Sequence, residues 1–245
     1  MGRRYQTGLY ARDERLRDKI SRRQKAVKIG QVLLSHAHFP LSSAVCLDVG
    51  CSSGLVTTAI APLFARTVGL DYDECGLQAV QRGARAGAEF IRGDAMHLPF
   101  LANAVDVVVC AQVYEHVPDA DRMVEEIYRV LVPGGLVFFS GPNWLFPIEP
   151  HYGLPFLHWL PPPLADRYLR ILGRGNHYYE KSRTVWRLKH SLQRFAIRDV
   201  TAEVLRTLWP GSLMGGVAGA VPQWIWNLLL PILPNFNWIL HKPGE

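Results

Sequence analysis

Short apolar runs alternate with stretches of helical length along most of the chain. The runs cover residues 44–49, 67–70, 88–92, 105–110 and 135–140, and residues 54–65, 73–86 and 119–131 lie between them. This rhythm is the mark of parallel strand–helix–strand units. Pro133-Gly134-Gly135 ends the last of these helices and feeds the fifth strand. Right-handed crossovers turn such a series into an open α/β sheet with helices on both faces. The carboxyl ends of the first, second and fourth strands then border one crevice, where ligands bind in such sheets. Two more strands are expected near 195–201 and 236–240. Ahead of the first strand, Leu16, Ile20, Val27, Ile29 and Leu33 recur among charges, which predicts one or two helices over about 13–35. Pro40 and Ser42-Ser43 break that pattern.

Beyond Ser140 the rhythm changes. Residues 141–190 are rich in proline, aromatics and histidine, with Pro161-Pro162-Pro163 and His177-Tyr178-Tyr179 among them. A long irregular segment in a compact domain tends to be functional, so a cap over the crevice is expected. The resulting division is a basic helical segment over 1–40, a ligand-binding core over 41–143, an inserted cap over 144–192, and the rest of the sheet with an apolar insertion over 193–245. No Asp, Glu, Lys or Arg occurs between Arg206 and Lys242. Prolines at 210, 222, 231 and 234 leave at most eleven residues between them, far short of the roughly 20 that a membrane span needs. A buried helix pair, an interfacial membrane contact and a wall for an apolar substrate all fit this stretch.

Charge sharpens the picture at the front of the chain. Residues 1–28 carry ten Lys/Arg against Asp13, Glu14 and Asp18, a charge of +7, so the net +6 of the whole chain sits there and the remainder is −1. Such a segment suits an anionic membrane or nucleic acid; a solvated helix face is the plainer alternative. No nucleic-acid-binding motif accompanies it, which disfavours a nucleic-acid partner. An apolar leader is not visible among these charges, and the cytoplasm is the expected location. Cys46, Cys51, Cys75 and Cys110 form no C-x-x-C pair, and three of them fall in or beside strands, as buried thiols do in a reducing compartment.

The chemistry begins where the first strand enters its helix, in Leu47-Asp48-Val49-Gly50-Cys51-Ser52-Ser53-Gly54. Gly50 can take backbone angles closed to other residues and lets a ligand approach the chain, while Gly54 lets the helix sit close. Asp48 either holds a cationic amino group or braces the loop. A dinucleotide fingerprint reads G-x-G-x-x-G, and a P-loop ends in Lys; neither is present, which disfavours a nicotinamide dehydrogenase and a nucleotide triphosphatase.

On these residues the chain resembles the class I S-adenosylmethionine-dependent methyltransferases, in particular the broad group containing the ubiquinone/menaquinone-type enzymes. Their first motif is close to D-x-G-x-G-x-G, matched from Asp48 to Gly54 except that Ser52 replaces a glycine. The resemblance implies a Rossmann-like, mostly parallel seven-stranded sheet, S-adenosylmethionine as cofactor, and a loop of Gly50, Cys51 and Ser52 around its methionine part. Asp71 ends the second strand beside Tyr72, where a carboxylate can accept from both ribose hydroxyls. Asp94 follows the third strand; in similar enzymes this position meets the adenine amino group, and Ala95 offers its backbone.

The exit of the fourth strand reads Gln112-Val113-Tyr114-Glu115-His116. In related enzymes it lies beside the sulfonium, which places Gln112 near the cofactor. Some quinone O-methyltransferases of the group place a divalent metal with E-x-x-E-H; here Gln112 replaces the first acid, and no metal is expected. His116 suits a general base, or Glu115 and His116 simply shape the pocket. In the cap, Glu149-Pro150-His151-Tyr152 stands out, with Glu149 and His151 as candidates for deprotonating a hydroxyl and Asn143 and His177 as further polar groups. The expected activity is methyl transfer to oxygen of a small or lipid-like acceptor. A cofactor-binding partner subunit without transfer activity is the alternative.

Overall fold

The computed structural model describes residues 8–12, 16–81, 87–208, 225, 229 and 232–244. The expected strands form β1 (Val45–Val49), β2 (Arg66–Asp71), β3 (Glu89–Arg92), β4 (Val105–Ala111), β5 (Leu131–Pro142), β8 (Ala196–Asp199) and β9 (Asn235–His241), with a small hairpin of β6 (Ile148–Glu149) and β7 (Leu154–Pro155) between. The main sheet has seven strands in the order β3-β2-β1-β4-β5-β9-β8. Neighbours are parallel from β3 to β5, and β9 runs antiparallel to both β5 and β8. Strand order reverses between β1 and β4, which opens the crevice at their carboxyl ends.

Alternation within the central strands explains why both faces are covered. In β4, Val107 and Val109 point into one core with α2 (Lys19–His36), α3 (Leu55–Ile60) and α8 (Thr201–Leu208). Val108 and Cys110 point into the other, with α5 (Ala120–Val130) and α7 (Val185–Ser191). Period-2 side-chain alternation thus serves two apolar cores from one strand.

Element ends differ from the sequence pattern where turn chemistry intervenes. The leading segment forms a one-turn α1 (Leu9–Arg12) and then α2, which starts only at Lys19 because the Asp18 carboxylate accepts from the Ile20 N–H at 3.0 Å. The first crossover helix is α3 followed by a 3₁₀ turn at Ala61–Leu63, as Pro62 removes a donor. The second, α4 (Glu74–Gln81), is described to residue 81 only. Strand β5 begins at Leu131 rather than after the Pro-Gly-Gly turn, which becomes an irregularity: Val105 pairs with Leu131, and Val107 already with Leu136. Residues 209–224, 226–228, 230 and 231 of the uncharged stretch, on which the helix pair, membrane contact or substrate wall is expected, lie outside the described residues.

Residues 144–192 hold the β6–β7 hairpin, a 3₁₀ turn at Leu157–Trp159, α6 (Pro162–Ile171) and α7. Leu154, Leu157, Ala165 and Leu169 give this segment a small core of its own. Its anchor to the sheet is Tyr114, whose buried hydroxyl donates to the Pro142 carbonyl and accepts from the Arg183 N–H at 3.1 Å. Arg183 also forks onto Asp121 at the start of α5, at 2.5 and 3.1 Å.

Candidate active site

A cavity of about 520 Å³ opens at the strand reversal and is walled by the β1–α3 loop, the ends of β2 and β4, α2, α8, His151 and the start of β9 with the two residues before it. Its size is that of a small-ligand site. The β1–α3 loop is held by its neighbours. Gly50 and Cys51 N–H groups both donate to the Leu70 carbonyl, at 2.8 and 3.1 Å. Gly50 has φ +74°, and a Cβ there would stand 2.6 Å from Val113 Cγ2, so no side chain fits. Ser52 stands in the left-handed region too, at φ 52°.

Asp71 closes the loop onto β2. Its carboxylate accepts from the Ser52 N–H at 2.6 Å and the Asp73 N–H at 2.8 Å, while the residue lines the cavity. Two backbone donors fix its direction and leave acceptor capacity for a ligand diol. Burial nevertheless lifts its carboxyl above the usual range. Asp48 also lines the cavity and braces α3, accepting from the Thr57 hydroxyl at 2.5 Å. Burial pushes it up to about 6, against the pull of Thr57 and the nearby Lys25 ammonium. Tyr72 and Ala95 line the same space, as do Cys51 and Ser52.

Two expected contacts are placed differently. The Asp94 side chain turns into its own loop, accepting from the Met96 N–H at 2.7 Å and meeting His97 Nδ1 at 3.2 Å, while its neighbours Gly93 and Ala95 face the cavity. Gly54 is outside the wall. At φ +68° its missing Cβ makes room for Phe90, 2.5 Å from where that atom would be, and for Val80 at 3.0 Å.

Gln112 leaves β4 with φ 65°, lines the cavity and donates to Asn235 Oδ1 at 3.2 Å. A non-glycine residue held there is strain retained by its surroundings. The turn after it brings Glu115 and His116 beneath the cap, and His151 descends from the cap to meet them. The two imidazole rings are 4.9 Å apart, edge to face. His116 and His151 line the cavity; Glu149 stands behind His151, its Oε1 2.7 Å from Nδ1. Burial lowers the His151 basicity, but the carboxylates of Glu149 and Glu115 outweigh it, and the ring is held above its ordinary value. Glu115 is fully buried, burial pushes it up to about 7, and neither carboxylate oxygen has a hydrogen-bond partner. Asn143 and His177 stay away from the cavity: Asn143 donates to the Leu233 carbonyl at 3.1 Å, and His177 is exposed beside Asp166.

The sequence reading missed Lys25 and Glu180. Lys25 comes from α2, donates to the Ala111 carbonyl at 3.1 Å and lines the cavity, and burial pulls it down to about 8. Nothing in a basic amphipathic helix distinguishes that lysine from its solvated neighbours. Glu180 is buried near His151 and raised by burial, and only the fold of the cap puts it there.

Residues 47–139 match the sequence pattern of a methyltransferase domain family. An uncharacterized methyltransferase of Mycobacterium leprae is 32% identical over 217 residues, covering 85% of this chain and 74% of the relative. A ubiquinone biosynthesis O-methyltransferase of Pseudomonas putida is 32% identical over 146 residues, 58% of this chain and 59% of that one. Among solved structures, an S-adenosylmethionine-dependent methyltransferase from Mesorhizobium loti superposes with a TM-score of 0.61 at 18% identity, over 89% of this chain and all of that chain.

Proposed function

Since the chain belongs to the S-adenosylmethionine-dependent methyltransferases, we propose that it methylates a hydroxyl oxygen of a small hydrophobic or lipid-like acceptor, deprotonated where His116 and His151 meet the cavity. When bound, the cofactor supplies an electrophilic methyl group with a neutral thioether to leave. The cavity's donor set suits it. Gly50, Cys51 and Ser52 would hold the methionine part, Asp71 the ribose hydroxyls, Tyr72 and Ala95 the base, and Asp48 with Lys25 the amino-acid charges. The protein's remaining task is to set the acceptor oxygen in line and keep water out. Val117, Phe138 and Leu233 add apolar wall to the cavity, which suits a hydrophobic acceptor.

One observation carries this reading: His151 faces the cavity with its other nitrogen 2.7 Å from the buried Glu149 carboxylate. A carboxylate there fixes the tautomer and stabilises the protonated ring, as base catalysis requires. The name of the Pseudomonas relative supports oxygen as the acceptor atom. Among the described residues no helix is long and apolar enough to cross a membrane. A lipid-like acceptor would then be met at a membrane surface, with the basic leading segment on the anionic headgroups.

The test is release of S-adenosylhomocysteine from the purified chain offered S-adenosylmethionine and a panel of alkyl phenols and catechols. His151→Ala is expected to lower kcat about 100-fold or more while cofactor affinity by calorimetry stays within about threefold. Cofactor binding without turnover on any hydroxylated acceptor would reject this reading in favour of a binding subunit.

A further inference from the structure

We propose that Glu115, His116 and His151 form a binding site for one divalent transition-metal ion at the acceptor end of the cavity. Glu115 Oε1 stands 3.8 Å from His116 Nε2 and 3.9 Å from His151 Nε2, and one donor atom from each residue falls within 4.8 Å of the others. Ligand atoms about 2.1 Å from a shared ion lie roughly 3.0–3.5 Å apart, so side-chain shifts of about 1 Å close this set around a metal.

The independent observation is the carboxylate itself. Glu115 is fully buried and both of its oxygens lack any hydrogen bond. A buried carboxylate without a hydrogen bond is expensive, and proteins that keep one ionised pair it closely or give it a metal. The outer ring of contacts suits a metal as well. Glu149 Oε1 lies 2.7 Å from His151 Nδ1, which turns Nε2 toward Glu115, and its other oxygen is fixed by the Tyr152 N–H at 2.8 Å. A carboxylate behind a metal-bound imidazole is the usual support for such a ligand. Chain spacing concealed the set, because His151 lies 35 residues beyond His116 and joins it only through the fold of the cap.

Two imidazoles and one carboxylate select Zn²⁺, Fe²⁺, Co²⁺ or Mn²⁺ over Mg²⁺ and Ca²⁺, which prefer an all-oxygen shell. Three protein ligands leave coordination positions open toward the cavity. With a metal in place the two imidazoles are ligands and no longer the base: an acceptor hydroxyl bound to the open position would lose its proton to solvent more readily, as a metal-bound water does. This inference rests on the reading of that end of the cavity as the acceptor side.

The full-length chain, stripped with a chelator and dialysed, is titrated with Zn²⁺, Co²⁺ and Mg²⁺. Expected are one equivalent of Zn²⁺ by calorimetry and mass spectrometry, a visible Co²⁺ absorption band displaced by Zn²⁺, and Mg²⁺ binding at least 100-fold weaker. His151→Ala and Glu115→Gln should each weaken Zn²⁺ at least tenfold, and Glu149→Gln about 10- to 100-fold. Cofactor titration of each variant verifies that it folds. Absence of stoichiometric metal in the wild-type chain, or unchanged affinity in a folded His151→Ala, overturns the site. Metal bound in the absence of turnover on any hydroxylated acceptor leaves the site standing and rejects the acceptor reading instead.

Discussion

Ser52 shows how much one backbone angle can carry. It occupies the position where similar enzymes place a glycine, and at φ 52° it adopts the conformation that glycine takes freely. Its N–H donates to Asp71 at 2.6 Å, so the loop has kept its shape and accepted the strain. Ser52→Gly should therefore raise stability by about 0.5–1 kcal/mol in urea unfolding, the relief of the left-handed side chain less the added entropy of glycine. A loss of stability would mean that the serine side chain contributes more than its backbone costs. Gly50 and Gly54 have no such latitude, since Val113 and Phe90 fill the space of the missing side chains. Gly50 and Asp71 were legible from local pattern because turn geometry and strand ends are local. The Asp94 carboxylate keeps to its own loop for an equally local reason: a short acidic side chain in a turn satisfies its own backbone first, here the Met96 N–H.

At the level of elements, the strands were easier to read than the helices. A five-residue apolar run has one way to bury both faces in a parallel sheet, whereas helix ends depend on caps and prolines such as Asp18 and Pro62. Within the cap, α7 packs Val185 and Leu188 into the main core, whereas the part before it buries Leu154, Leu157, Ala165 and Leu169 against one another and is tied to the sheet by polar anchors. Tyr114 is the central one, bonding the end of β5 on one side and the Arg183 backbone on the other. Tyr114→Phe leaves the Pro142 carbonyl and the Arg183 N–H unpaired, which costs about 1–3 kcal/mol. Thermal unfolding should register that loss. Hydrogen exchange should rise in 144–183 and stay unchanged in β1 and β4; uniform loss of protection would show that the cap is no separate unit.

On the scale of the whole molecule, α2 crosses to the cavity and sets Lys25 beside Asp48, two charges that burial pushes toward neutrality from opposite sides. Asp48 ionises in the unfolded chain near its ordinary 3.8 but in the fold only near 6. Its contribution to stability is therefore full below pH 4 and is lost as pH rises through 6. Asp48→Asn removes that loss. Relative to wild type, the variant should gain about 2 kcal/mol between pH 4 and pH 6.5, a figure set by the two-unit shift. Equal slopes for the two proteins in urea unfolding would show that Asp48 is solvated in the folded state. Cofactor affinity should fall in the variant, since the strained carboxylate is kept for a ligand charge.

The alternation of apolar runs with helical stretches determined the sheet, its crevice and the glycine loop, because burying strand faces and turning a chain tightly are demands met within a few neighbouring residues. What remained for the tertiary structure was the meeting of distant groups. Lys25 with Asp48, and Glu115 and His116 with His151, are joined by burial and long-range packing, and no spacing along the chain encodes which charged side chains will be taken out of water together.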